Sequence, residues 1–164
     1  MLTKIDAIRD LAIGHATLQA GLEQPRYNPA DHLLYLPDQT KNLLYQIDPD
    51  RIAVTRQWNL GVPCSPTGMA IEPKHAVAMI GCADAATAWV LVWDLKAGKL
   101  VKKLTDIGSV DQDIHATARD TLLAAGGRNG TPPTRLSGGF PVAPPALPGR
   151  LPCAGLQSMQ PASR

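Results

Sequence analysis

The sequence predicts an all-β fold, a partial β-propeller of about two complete four-stranded blades plus parts of two others. Three observations carry this: a repeat of about 44 residues, turn residues every 8 to 12 positions, and strands that are apolar on both faces. An apolar strand ending in Asp recurs at Lys4-Ile5-Asp6, at Leu43 to Asp48 and at Val90 to Asp94, the aspartates 42 and then 46 residues apart. Pro25-Arg-Tyr-Asn-Pro29 is matched by Thr67-Gly-Met-Ala-Ile-Glu-Pro73, with Pro29 and Pro73 separated by 44. Degenerate third copies, Ile114 to Ala118 and Arg119 to Leu123, follow about 45 residues later.

Four strands fit inside one period. They are Gln24 to Asn28, Leu33 to Leu36, Leu43 to Asp48 and Ala53 to Leu60, separated by turns at Pro29-Ala-Asp31, Asp38 to Asn42 and Pro49-Asp-Arg51. The next period repeats them as Thr67 to Ile71, Val77 to Gly81, Ala88 to Asp94 and Lys99 to Leu104. No helical periodicity intervenes, and the turn spacing argues all-β. Leu33 to Leu36 and Trp89 to Trp93 are apolar on both faces, where a half-solvated sheet would alternate. Stacked blades bury both faces of their middle strands; a β-sandwich is the alternative architecture.

The blade pattern covers 1–126, and 127–164 differs in composition. All 14 acidic residues lie at or before Asp120, no Lys follows Lys103, and eight of the 15 prolines fall after Thr131. Proline removes ladder donors, so this stretch reads as a Pro/Gly/Arg-rich disordered tail. It is either a translated shifted frame or a real flexible terminus.

A net charge of +2 gives no reason to expect a nucleic-acid partner. No apolar run approaches the roughly 20 residues of a membrane span. The start, Met1 to Asp6, lacks the basic and apolar regions of a signal peptide. There is no phosphate loop, no Gly-x-Ser-x-Gly, no His-x-x-x-His and no Cys-x-x-Cys, and no nucleophile stands out.

Asp48 and Asp94 end strands where an Asp side chain bonds its own turn backbone. His32 and His75 fall at equivalent hairpin turns and are expected in solvent. Trp58, Trp89 and Trp93 read as packing between blades. Glu23 and Arg26, on an inner strand, either pair with each other or line a wet channel. A hairpin turning near Pro73 pairs residues whose numbers sum to about 146, which sets Cys64 opposite Cys82. They are then either a disulfide or two buried thiols, and Cys153 is left unpaired.

Leu22 to Pro29, Ile47-Asp-Pro-Asp50, Pro66 to Pro73 and Trp93 to Val101 resemble the YVTN/lactonase-like bacterial propellers. Val92-Trp93-Asp94 also looks like the Trp-Asp signature of WD repeats, but no Gly-His pair begins the blade. Glu23-Gln-Pro-Arg-Tyr-Asn-Pro29 with Leu34-Tyr35 is similar to the first metal-binding strand of gluconolactonase-type propellers. That resemblance implies Glu23 as ligand to a divalent cation such as Ca²⁺. The Asn those families place before Gly is here Thr67, a poor substitute at a hard cation. Asp111 or Asp113 stands where a later carboxylate is expected.

The leading functional expectation is a non-catalytic binding or scaffold module. It would meet an unidentified protein or small-molecule ligand through the loops carrying Glu23, Gln24, Arg26, Ser65, Thr67 and Asp111. It would need no cofactor. A fragment of a metal-dependent lactone hydrolase is the alternative. By resemblance, the parent protein is periplasmic or secreted.

Overall fold

Three aspartates shape the repeat. Asp6, Asp48 and Asp94 each end a strand, and each Oδ1 accepts two backbone N–H groups of the following turn. The donors are Ile8 and Arg9, then Asp50 and Arg51, then Lys96 and Ala97. A side chain that supplies a turn's hydrogen bonds fixes the hairpin there. Four residues after each Asp the backbone enters the left-handed region, at Asp10 (φ 53°), Ile52 (52°) and Gly98 (63°). The inner hairpins repeat in the same way, with positive φ at His32 and Ala76. There Asn28 Oδ1 accepts from Ala30 N, and Glu72 accepts from Lys74 N and His75 N.

The computed structural model describes residues 1–126 apart from 19–20, 84–88, 106, 108–109 and 120, with Asp111, Arg119 and Gly126 described by backbone alone. The expected tail at 127–164, including Cys153, lies outside the described residues. The chain divides into two units, Met1–Pro133 and Thr134–Arg164, and every described residue belongs to the first.

Among the described residues, twelve strands form four antiparallel sheets. β1 (Leu2–Asp6) pairs with β2 (Leu11–Ala16) as a half-blade. β3 (Arg26–Asn28), β4 (Leu33–Asp38), β5 (Leu43–Asp48) and β6 (Ala53–Asn59) make a complete blade in that order. β7 (Pro66–Glu72), β8 (Val77–Cys82), β9 (Val90–Asp94) and β10 (Lys99–Leu104) make a second. β11 (Val110–Ala116) and β12 (Thr121–Gly126) make another half-blade. This is the all-β propeller architecture the repeat predicts, with two whole blades flanked by two halves. The degenerate third copy is shifted: its inner strand begins at Val110, and Thr117–Arg119 is a short 3₁₀ turn.

The main core lies between the two complete blades. Tyr35 and Leu44 from one face Met69, Ile71, Ala78, Ile80, Leu91 and Trp93 from the other. Trp58 stacks on Tyr35 at 6.5 Å between ring centroids and 8° between planes, and Trp89 packs on the same cluster. Gly98 admits this arrangement, because a Cβ there would collide with the Trp58 ring. Gly81 does the same between β8 and β11, where a Cβ would meet the Val110 carbonyl. Polar atoms inside the first complete blade are chained: Thr55 Oγ1 donates to Gln46 Oε1 (2.9 Å), Gln46 Nε2 to Tyr35 Oη (2.9 Å), and Tyr35 Oη to Asp31 Oδ2 (2.7 Å).

Cys64 and Cys82 are joined by a disulfide, their Cα atoms 4.6 Å apart. The register differs from the expected one, for it is Pro66 that stands opposite Cys82. The hairpin closes at Glu72↔Val77 rather than around Pro73, and the ladder shifts between Pro66 and Met69. Ser65, at φ 47°, turns Cys64 back toward β8. His32 and His75 are exposed, as expected at these turns, and His75 Nδ1 lies 2.7 Å from Glu72 Oε2.

Gly98→Ala should lose about 3 kcal/mol, combining the left-handed penalty with overpacking against Trp58. Gly61→Ala, at φ 73° with nothing within 4 Å of the new Cβ, should lose only about 1 kcal/mol. Chemical denaturation of both variants reads the difference, and equal losses would show that the Trp58 contact is not what the glycine serves.

Candidate functional site

The inner strands β3, β7 and β11 come together, with β11 packed on β7 and β8 and β3 packed on β7. Their meeting leaves a groove of about 610 Å³, lined among others by Arg26, Tyr27, Ala70, Gln112, Asp113 and His115. That volume lies within the ordinary range of small-molecule sites.

Asp113 dominates its chemistry. The inner hairpins align Ala116↔Thr121 with Glu72↔Val77, which sets Asp113 at the position of Met69 in the preceding blade. Met69 is fully buried in the core, and Asp113 is only 5% exposed. A carboxylate therefore occupies a position the fold uses for an apolar side chain. Neither of its oxygens has a hydrogen-bond partner. Burial raises its pKa from the ordinary 3.8 to about 7. The Gly81 amide and the Arg26 charge favour the ionised form but do not outweigh burial, and the amide does not reach hydrogen-bond geometry.

Arg26 enters from β3. Its Nε donates to the Met69 carbonyl at 2.6 Å, so the guanidinium crosses from one blade to the next. It acts on Asp113 through space, and the two do not form a contact ion pair. The site thus holds a fixed cation and a carboxyl near its midpoint at neutral pH, with Tyr27, Gln112 and His115 around them.

The residues read from sequence scatter around this groove. Arg26 lines it. Glu23 is half-buried with its N–H donated to Pro37 O (3.0 Å), and Gln24 is exposed. Ser65 holds the turn at Cys64. Thr67 is buried and structural in its bonding: its hydroxyl donates to Val110 O at 2.6 Å and lies 3.3 Å from Gly81 O, which ties β7 to β11. The Asp111 side chain lies outside the described residues. Among the described residues, no group of three or more His, Cys, Asp and Glu is gathered at metal-binding distance. No helix among them is long and apolar enough to cross a membrane. Gln112, Tyr27 and His115 went unnoticed in the sequence as site residues. Asp113 is one of the two acids the sequence offers as the later carboxylate, and its register with Met69 becomes visible once the inner hairpins are aligned.

No family model and no curated protein matches the chain. Among solved structures, it is similar to dihydro-heme d1 dehydrogenase NirN in complex with DHE, at 16% identity and a TM-score of 0.60 over 75% of this chain and 27% of that one. It is similar also to Kuenenia stuttgartiensis hydrazine synthase, at 20% identity and a TM-score of 0.60 over 74% of this chain and 34% of that one. The Myceliophteria thermophila Cps50 (Swd1) β-propeller domain matches at 18% identity and a TM-score of 0.50 over 62% of this chain and 31% of that one. The chain thus spans about a third or less of these proteins. The likeness shows the fold, a β-propeller, and the fold alone.

The raised pKa of Asp113 has a definite sign. Between pH 3.8 and about 7 the folded protein holds a proton that the unfolded chain has lost, so stability is complete below pH 3.8 and falls as pH rises to about 7. Asp113→Asn should remove this decline and be the more stable protein at pH 8, by on the order of 3 kcal/mol. Urea melts of both proteins from pH 4 to 8 check it; parallel profiles would show that Asp113 titrates normally.

Proposed function

We propose that the chain is a non-catalytic binding module, whose ligand occupies the groove between β3, β7 and β11. The buried Asp113 carboxyl with two unpartnered oxygens carries this reading. Buried polar groups are nearly always paired, and an exception points to a missing partner. The ligand is a small polar molecule with a hydroxyl, amide or amine donor for Asp113. It also carries an acceptor within reach of the Arg26 guanidinium, whose Nε is already committed to Met69 O. Tyr27 and His115 offer flat surfaces beside them. The Cys64–Cys82 disulfide supports an exported parent protein, since such bonds persist in oxidising compartments. The resemblance of Leu22 to Pro29 and Pro66 to Pro73 to YVTN/lactonase-like propellers accords with that setting.

A thermal-shift screen of small amides, amines and polyols tests the reading. Compounds that raise the melting temperature of the parent should have no effect on Asp113→Asn or Arg26→Ala, and stabilisation that survives both substitutions places the ligand elsewhere. Calorimetric titration with Ca²⁺ and Zn²⁺, repeated on Glu23→Ala, tests the metal-dependent lactone hydrolase. Heat abolished by that substitution would favour the hydrolase over the binding module.

A further inference from the structure

A β-bulge stands beside the groove. Pro66 is opposite Cys82 and Met69 opposite Ile80, so two residues, Thr67 and Gly68, face the single Gly81. Its open end is closed twice: the Cys64–Cys82 disulfide bridges β8 to the segment before β7, and Ala83 N donates to Ser65 O at 3.1 Å. Cys64 and Cys82 are buried, and Cys64 Sγ lies 3.9 Å from Gly81 O. Cys82 N donates to Trp89 O on the β9 side. By alternation along the strand, the backbone groups of Gly81 point the other way, toward the bulge. A bulge bends its strand and re-aims the side chains upon it.

Both charged groups of the groove depend on this bulge. Met69, the first residue paired after it, offers the carbonyl that holds Arg26 Nε at 2.6 Å. Thr67 Oγ1 donates to Val110 O at 2.6 Å, which fixes the start of β11, three residues before Asp113. Gly81 completes the link, because its amide acts on the Asp113 carboxyl and a Cβ there would meet Val110 O. The elements packed on β11 bring few other charges. Strands β8 and β12 carry none, and the one acid of β7, Glu72, is bonded within its own turn; His115 lies two positions along β11.

We propose that this disulfide-stapled bulge is the positioning device of the groove. Thr67, held by the Cys64–Cys82 bridge, fixes β11 and so sets the separation between the Asp113 carboxyl and the Arg26 guanidinium. Its role rests on the groove being the ligand site. Thr67, Cys64 and Cys82 act on that site through Val110 and Met69 and do not line it. Valine keeps the shape of threonine and loses the hydroxyl. With Val110 O released, β11 loosens and water reaches Asp113, which removes the main obstacle to its ionised form.

An NMR titration of the 164-residue chain, labelled with ¹³C at aspartate carboxyls, tests the role. The Asp113 signal, assigned by its loss in Asp113→Asn, should titrate at about pH 7 in the parent and in Thr67→Ser, which keeps the hydroxyl. In Thr67→Val, and in Cys64→Ala with Cys82→Ala, the midpoint should fall by about one pH unit or more toward the ordinary 3.8. A hydroxyl and a bridge that served stability alone would lower the melting temperature and leave the midpoint in place, and that result overturns the proposal. The Thr67 variants keep the disulfide and decide alone if the alanine pair does not fold. A parent midpoint in the ordinary carboxylate range would instead overturn the groove as the ligand site, and the role of the bulge with it.

Discussion

Sheets that are apolar on both faces cannot stand alone in water, and this constraint governs the molecule. β4, β5, β8 and β9 bury residues of both parities along their length, so each complete blade needs a neighbour on either side. The stacking sets the other choices. Glycine stands where backbones or rings approach closest, at Gly81 under Val110 and at Gly98 under Trp58. The polar atoms inside a blade must find one another, as the Thr55–Gln46–Tyr35–Asp31 chain shows. A buried hydroxyl such as that of Thr67 serves to bind neighbouring blades together.

Local chemistry then determines where each hairpin turns. The aspartate at a strand end accepts two backbone donors in every copy, whatever residues fill the turn: Ala7 to Asp10, Pro49 to Ile52, or Leu95 to Gly98. The left-handed residue that follows is an Asp, an Ile and a Gly. A β-branched residue at positive φ is costly in isolation. Its presence at Ile52 shows how firmly the Asp48 hydrogen bonds and the sheet on either side hold the turn.

Those short-range features are why the fold was legible in the sequence. The repeat, the strand-ending aspartates and the two-faced apolar runs each express a contact between residues close in the chain or in adjacent blades. What depended on the exact position of a turn was not legible. The hairpin turns between Lys74 and His75 rather than at Pro73, so Cys82 stands opposite Pro66 instead of the expected Cys64, and the turn at Ser65 accompanies the approach of the two sulfurs. The site was harder still. Arg26 was marked by its place on an inner strand, but nothing local shows that its guanidinium spans to Met69. Thr67 was weighed as a cation ligand because of its place in a motif, whereas its hydroxyl is taken by a carbonyl 43 residues away.

Asp113 is where local and global preferences part. A repeat fold offers its own control: the same position in the preceding blade holds Met69, which is fully buried. The apolar choice is therefore available to this architecture and fills the space. The carboxyl retained there has no hydrogen bond, and burial pushes its pKa to about 7. Such departures from consistency gather at functional sites, because a group that packs poorly by itself is the one free to recognise something else. The opposite charge of Arg26 is near enough to be felt yet anchored on Met69 rather than on the carboxylate. A direct ion pair would have neutralised the groove. Held apart, the two groups leave a polarised space between three blades, and that separation is what lets a molecule with a donor at one end and an acceptor at the other be read by both.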